Sequence, residues 1–128
     1  MSSPSLSAVI NHDYTVTMKM RDHELVADEP VEIGGKDLGP EPGELVLSAL
    51  AGCKLITMKM YANRKGWNVE NTVIHLKYLQ KGDPTIVEKR FEFDSGLTDD
   101  QKKRLIEISG RCPVAKMLSN SISYEIIN

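Results

Sequence analysis

The sequence predicts an α+β fold, a mainly antiparallel sheet around one long buried central helix, in a single domain over residues 1–128. Three observations predict it. Apolar and polar residues alternate with period two at 14–20 and again at 69–79, the pattern of half-buried strands. Apolar residues cover nearly the whole circumference of 44–65, so a helix there must be buried on most sides. Strands gather at both ends of the chain instead of alternating with helices, which separates α+β from α/β. A chain of 128 residues is one domain in length. Chains of that size bury roughly two-thirds of their unfolded surface, enough to build a core without disulfides or metal.

In order, 6–10 reads as a first strand. In 14–20, Tyr14, Val16, Met18 and Met20 alternate with polar residues, giving a second. Residues 23–27 give a third, ending at Asp28-Glu29-Pro30. Glycine and proline crowd 34–43 and predict a loop. The long helix opens at Pro42-Gly43-Glu44, where the helix dipole favours a carboxylate in the first turn, and stops at Gly66. Lys54, Lys59 and Arg64 interrupt its apolar run, which argues against a membrane span of ~20 apolar residues. A thin sheet covers one side of such a helix, so a second copy of the chain is the natural cover for the other. Residues 69–79 and 85–93 flank Gly82-Asp83-Pro84 as a hairpin. Thr98-Asp99-Asp100-Gln101 fits a capping box for a second helix, with Leu105, Ile108 and Ile106 inward and Gly110 as its stop. Pro113 at a first helical position opens a short third helix to about Ser119. Ser121 to Ile127 alternates as a closing strand. The expected order is β-β-β-α-β-β-α-α-β.

Composition narrows the function. Sixteen Lys and Arg against eighteen Asp and Glu give a formal net charge of −2. That balance speaks against electrostatic capture of nucleic acid and against a polybasic membrane patch. Three histidines, His12, His23 and His75, stand singly and write no zinc spacing, so no metal or organic cofactor is expected. No P-loop, GxGxxG or GxSxG is present. The start of the chain has neither a basic segment nor a long apolar run, so the expected address is the cytoplasm, where thiols stay reduced unless they do chemistry.

Two cysteines, Cys53 and Cys112, carry the available chemistry. Cys53 lies midway along the long helix in Ala51-Gly52-Cys53-Lys54. Locally it reads as a core cysteine, and a buried thiol is inert unless a cation or a donor stands near it. Lys54 points about 100° away around the helix and is a poor partner for it. Cys112 is the better candidate by local physics, since it stands before the helix opened by Pro113 and beside Arg111. Together the two thiols suggest a redox pair, provided the fold brings them together.

The stretch Gly39-Pro40-Glu41-Pro42-Gly43-Glu44-Leu45-Val46-Leu47-Ser48-Ala49-Leu50-Ala51-Gly52-Cys53 resembles the signature of the OsmC/Ohr family, the osmotically inducible and organic-hydroperoxide-resistance proteins. Met60-Tyr61-Ala62-Asn63-Arg64-Lys65-Gly66-Trp67 is similar to the end of the same helix in the OsmC-like branch. Leu105-Ile106-Glu107-Ile108-Ser109-Gly110-Arg111-Cys112-Pro113-Val114 is similar to the family's second cysteine motif. Asp28-Glu29-Pro30 followed by Gly34-Gly35 also fits that branch.

The resemblance implies an intertwined homodimer, with two long helices wrapped by antiparallel sheets and active sites at the subunit interface. It implies that Cys53 attacks the hydroperoxide, that Cys112 resolves the product to a disulfide, and that a dithiol reductant restores both. This reverses the local ranking of the two thiols. Arg21, the only arginine before the long helix, is the candidate for the cation the peroxidase branches place beside the reactive thiol. Glu44 is the candidate for their carboxylate. The pattern departs there: that carboxylate normally stands ten residues before the cysteine, which is Gly43 here, and Glu44 stands nine before. One residue is a turn of about 100°. The departure keeps open a second reading, a non-enzymatic dimer that binds a small apolar or thiol-reactive ligand. A purely structural dimer is a third.

Overall fold

The structure, a computed structural model, describes residues 4–94 and 96–128. The chain divides into two compact units, one ending at Val46 and one beginning at Leu47.

The first unit is a three-stranded antiparallel sheet in sequential order: β1 (Ser7–Ile10), β2 (Val16–Met20) and β3 (His23–Ala27). All three strands fall within the segments the sequence marks as strands. Met20 pairs with His23 across a two-residue turn, and Arg21 in that turn has φ +54°. The chain then makes a 3-10 turn at Val31–Ile33 and a loop to residue 41. One carboxylate organises this loop. Asp28 is 1% exposed. It accepts from the Thr15 hydroxyl at 2.9 Å and from the backbone N–H groups of Glu29, Leu38 and Lys36 at 2.7, 3.3 and 3.5 Å. Burial alone would raise its carboxyl, but these donors outweigh burial and hold it below the ordinary range. The chain passes so close to itself here that a Cβ on Gly35 would stand 1.9 Å from the Glu29 carbonyl oxygen, and one on Gly39 2.2 Å from that of Val26. Only glycine fits at either point.

Both units share α1 (Pro42–Lys65), with Glu44 in its first turn and Arg64 and Lys65 in its last, the polarity the helix dipole favours. The second unit continues with a hairpin of β4 (Val73–Gln80) and β5 (Ile86–Glu92), then α2 (Asp99–Ser109) and α3 (Pro113–Leu118). Ile74, Leu76 and Tyr78 of β4 are half-buried and the residues between them exposed, as the alternation requires. β4 starts four residues later than the pattern predicts. The Val69 carbonyl accepts both the Thr72 N–H at 3.2 Å and the Thr72 hydroxyl at 2.7 Å, closing a turn with Asn71 at φ +60°. α2 carries the expected capping box: Gln101 N–H donates to the Thr98 hydroxyl at 3.1 Å, and Thr98 N–H to the Gln101 side chain at 2.9 Å. The core of this unit is Met58, Ala62, Val69 and Leu105, with Tyr61, Trp67, Phe91, Phe93 and Leu97 packed around it.

Two expectations change. Residues 121–128 form no strand. Alternation marks a segment able to pair, but a strand needs a partner, and this segment joins neither sheet: Tyr124, Ile126 and Ile127 are 86%, 88% and 92% exposed. The long helix is also less buried than its composition demands. Lys54, Met58 and Ala62 form one inward stripe, while Ile56 and Met60 are 58% and 63% exposed. By length and composition α1 is the one helix among the described residues that could cross a membrane. Its inward stripe is nevertheless packed into the core of the second unit.

Candidate functional site

Both cysteines belong to the second unit and both are free thiols. The burial of Cys53 differs from what the local sequence suggests. Cys53, read locally as a core residue, is half-buried on α1, and Cys112 is fully buried at 0% exposure. Cys112 occupies the N-cap position of α3, with Pro113 at the start of the helix, but its side chain makes no capping hydrogen bond.

A cleft of ≈ 380 Å³ lies between α1 and the end of α2, lined by Thr57, Met60, Tyr61, Arg64, Ile108 and Arg111. Its lining ties the two cysteine segments together. Thr57 is one helical turn beyond Cys53, on the same face, and Arg111 is the residue before Cys112. The sequence suggested a redox pair only if the fold joins these segments. The fold brings Thr57, one turn past Cys53, and Arg111, beside Cys112, to one cleft that neither cysteine lines.

Arg64 and Arg111 line the cleft, and further cations lie elsewhere in the second unit. Lys54 is 8% exposed and lies on the inward stripe with Met58 and Ala62, a different face from Cys53, as its helical position predicts. It reaches Lys89 of β5 electrostatically: partial burial first, then Lys54, hold the Lys89 ammonium below its ordinary range, and Cys112 opposes them. Tyr61, which lines the cleft, accepts a hydrogen bond at 3.1 Å from Arg104 Nε. That hydrogen bond, aided by the charges of Arg104 and Lys65, outweighs burial and holds the Tyr61 phenol below its ordinary range. Arg104, Lys65 and Arg64 also stand over the Tyr61 ring at 5.4, 5.6 and 5.9 Å. Arg104 and Arg111 both pair with Glu107, the latter at 3.6 Å.

The other two candidate residues are in the first unit. Glu44 accepts the Glu41 backbone N–H at 3.0 Å, so one of its oxygens serves the start of α1. Arg21 is exposed in the β2–β3 turn. Its left-handed backbone is uncommon for a residue with a Cβ.

Sequence reasoning missed Lys89, Tyr61 with Arg104, and the Arg64–Arg111 pair. Tyr61 and Arg64 were legible as the i and i+3 members of one helix face with Thr57. Their meeting with α2 was not, because nothing in the local pattern sets how two helices cross.

The model of the OsmC-like protein family matches residues 34–127. No curated protein matches the chain significantly. Among solved structures, the fold matches a Psychrobacter arcticus 273-4 protein assigned to osmotic stress induction and the detoxification response. That match has 22% identity and a TM-score of 0.79, and covers 91% of this chain and 89% of that one. An OsmC-like protein from Mycoplasma pneumoniae matches at 22% identity and TM-score 0.77, over 92% and 88% of the two chains. An organic hydroperoxide resistance protein from Legionella pneumophila matches at 16% identity and TM-score 0.69, over 92% and 90%. With a family model spanning both cysteine segments and folds alike over nearly their whole lengths, the chain belongs to the OsmC-like protein family.

Proposed function

We propose that the protein is a thiol-dependent reductase of organic hydroperoxides that works as a cytoplasmic homodimer. The observation that carries this reading is the cleft between α1 and α2, whose walls include the residue one turn past Cys53 and the residue before Cys112. Family membership and the name of the Legionella pneumophila protein support it. Thr57, Met60 and Ile108 give the cleft apolar surface, which suits an organic peroxide better than a small polar one.

The chemistry balances without a cofactor. The Cys53 thiolate attacks the terminal oxygen of ROOH, the O–O bond breaks, and the alkoxide takes a proton to leave as ROH. Cys53 is oxidised to a sulfenic acid. The Cys112 sulfur displaces the sulfenic oxygen, which leaves as water, and a disulfide forms. A dithiol then reduces it by exchange and departs as its own disulfide. The family resemblance gives Arg21 the role of the cation for the Cys53 thiolate and Glu44 the role of the carboxylate that orients it. The exposed face of α1 at Ile56 and Met60 is what a second copy would cover.

One equivalent of cumene hydroperoxide, added to the reduced protein, tests the resolving step. The expected outcome is loss of both thiols to one intramolecular disulfide. Two intact thiols would contradict the reading and favour the ligand-binding dimer that Gly43 in place of the usual carboxylate suggests.

A further inference from the structure

Two lysines stand where the pattern calls for apolar residues, and the chemistry proposed above uses neither. On β5, Val87, Lys89 and Phe91 share one face, opposite Tyr78, Leu76 and Ile74 of β4, and Phe91 packs against the core cluster that holds Met58 and Ala62. On α1, Lys54 is buried one turn before Met58 on the same inward stripe. Two residues along a strand and one turn along a helix span similar lengths, about 7 and 5 Å. Lys89 is thus one step from Phe91 on the strand and Lys54 one step from Met58 on the helix, and each feels the other's charge. Neither ammonium has a hydrogen-bond or ion-pair partner among the described residues. A buried ammonium without an anion is costly. The cluster holds one group able to become that anion: Cys112, fully buried, with no capping hydrogen bond. Its charge acts on Lys89 in the sense opposite to that of Lys54.

We propose that Lys89 is the proton donor of the resolving step: its ammonium pairs with the Cys112 thiolate and protonates the hydroxide that leaves Cys53. The assignment rests on the peroxidase reading above. Cys112 Sγ attacks Sγ of the Cys53 sulfenic acid, the S–O bond breaks as the S–S bond forms, and the departing hydroxide takes the Lys89 proton to leave as water. The two sulfurs end about 2 Å apart, so a side chain that reaches one reaches the oxygen leaving the other. Lys89 is left as a neutral amine, a state that its partial burial and then the Lys54 charge favour. It regains its proton from solvent, to which it remains exposed.

The two steps of the reaction can be read apart. Reduced full-length protein is mixed with one equivalent of cumene hydroperoxide and quenched with dimedone at set times, and mass spectrometry counts sulfenic acid and disulfide separately. Lys89→Gln is expected to consume peroxide at the unsubstituted rate, with unchanged circular dichroism, while its disulfide forms about 100-fold more slowly. Lys89→Arg keeps the charge but holds its proton, and is expected to remain slow. In Lys89→Ala, added ethylammonium is expected to restore part of the rate, which a merely structural loss would not allow. Disulfide formation at the unsubstituted rate in Lys89→Gln, full speed in Lys89→Arg, or no rescue by ethylammonium would overturn the assignment and leave the peroxidase reading standing. Neither sulfenic acid nor disulfide in the unsubstituted protein would defeat the peroxidase reading, and the assignment with it.

Discussion

Cys53 and Cys112 differ in burial, and the difference sets what each substitution does. Cys53 is the half-buried thiol and Cys112 the buried one, so Cys53 is the one a peroxide meets more readily. Cys53→Ser is expected to abolish peroxide turnover. Cys112→Ser leaves the first step intact, so the sulfenic acid persists and a dimedone adduct on Cys53 is seen by mass spectrometry. Absence of that adduct under peroxide would show that Cys53 is not the nucleophile. Asp28 gives a second prediction at this scale. Its carboxyl is lowered on folding, so its contribution to stability is fully present above the unfolded value near pH 4 and is lost as pH falls through the lower folded value. An acid titration followed by circular dichroism is expected to show this loss, and Asp28→Asn is expected to flatten it. Glu44 in the first turn of α1 was legible from the helix start that Pro42-Gly43-Glu44 marks. The four donors to Asp28 were not: three are backbone N–H groups, and they converge only when the loop folds back at Gly35 and Gly39.

Elements were legible where their signal is local. The Thr98 capping box forms as written, because all its partners lie within four residues. Thr98→Ala is expected to cost about 1 kcal/mol, read from the shift in urea midpoint. Leu105 is fully buried in the core of the second unit, and Leu105→Ala is expected to cost about 2–5 kcal/mol in the same measurement. The closing strand shows where local signals end. Its period-two pattern is as clear as that of β4, but a strand is a property of a pair of segments, and 121–128 pairs with none of the described strands.

At the scale of the whole molecule, the apolar circumference of α1 exceeds what one chain covers. The sequence carried that imbalance, and the structure puts it on the face bearing Ile56 and Met60. Sedimentation equilibrium is expected to find a dimer, and Ile56→Lys to shift it toward monomer. The fold class, the order of the elements as far as α3 and the family were legible in the sequence. The cationic cleft was not, because it depends on the crossing of α1 and α2, to which Arg64 and Arg111 each contribute from afar in sequence. The central claim is that this cleft serves a reactive Cys53, and one measurement tests it most directly. Reduced protein is mixed with cumene hydroperoxide and a dithiol, and peroxide loss is followed beside Cys53→Ser. Rapid catalytic loss with the unsubstituted protein and none above background with Cys53→Ser is the predicted result. Equal rates for the two proteins would contradict it.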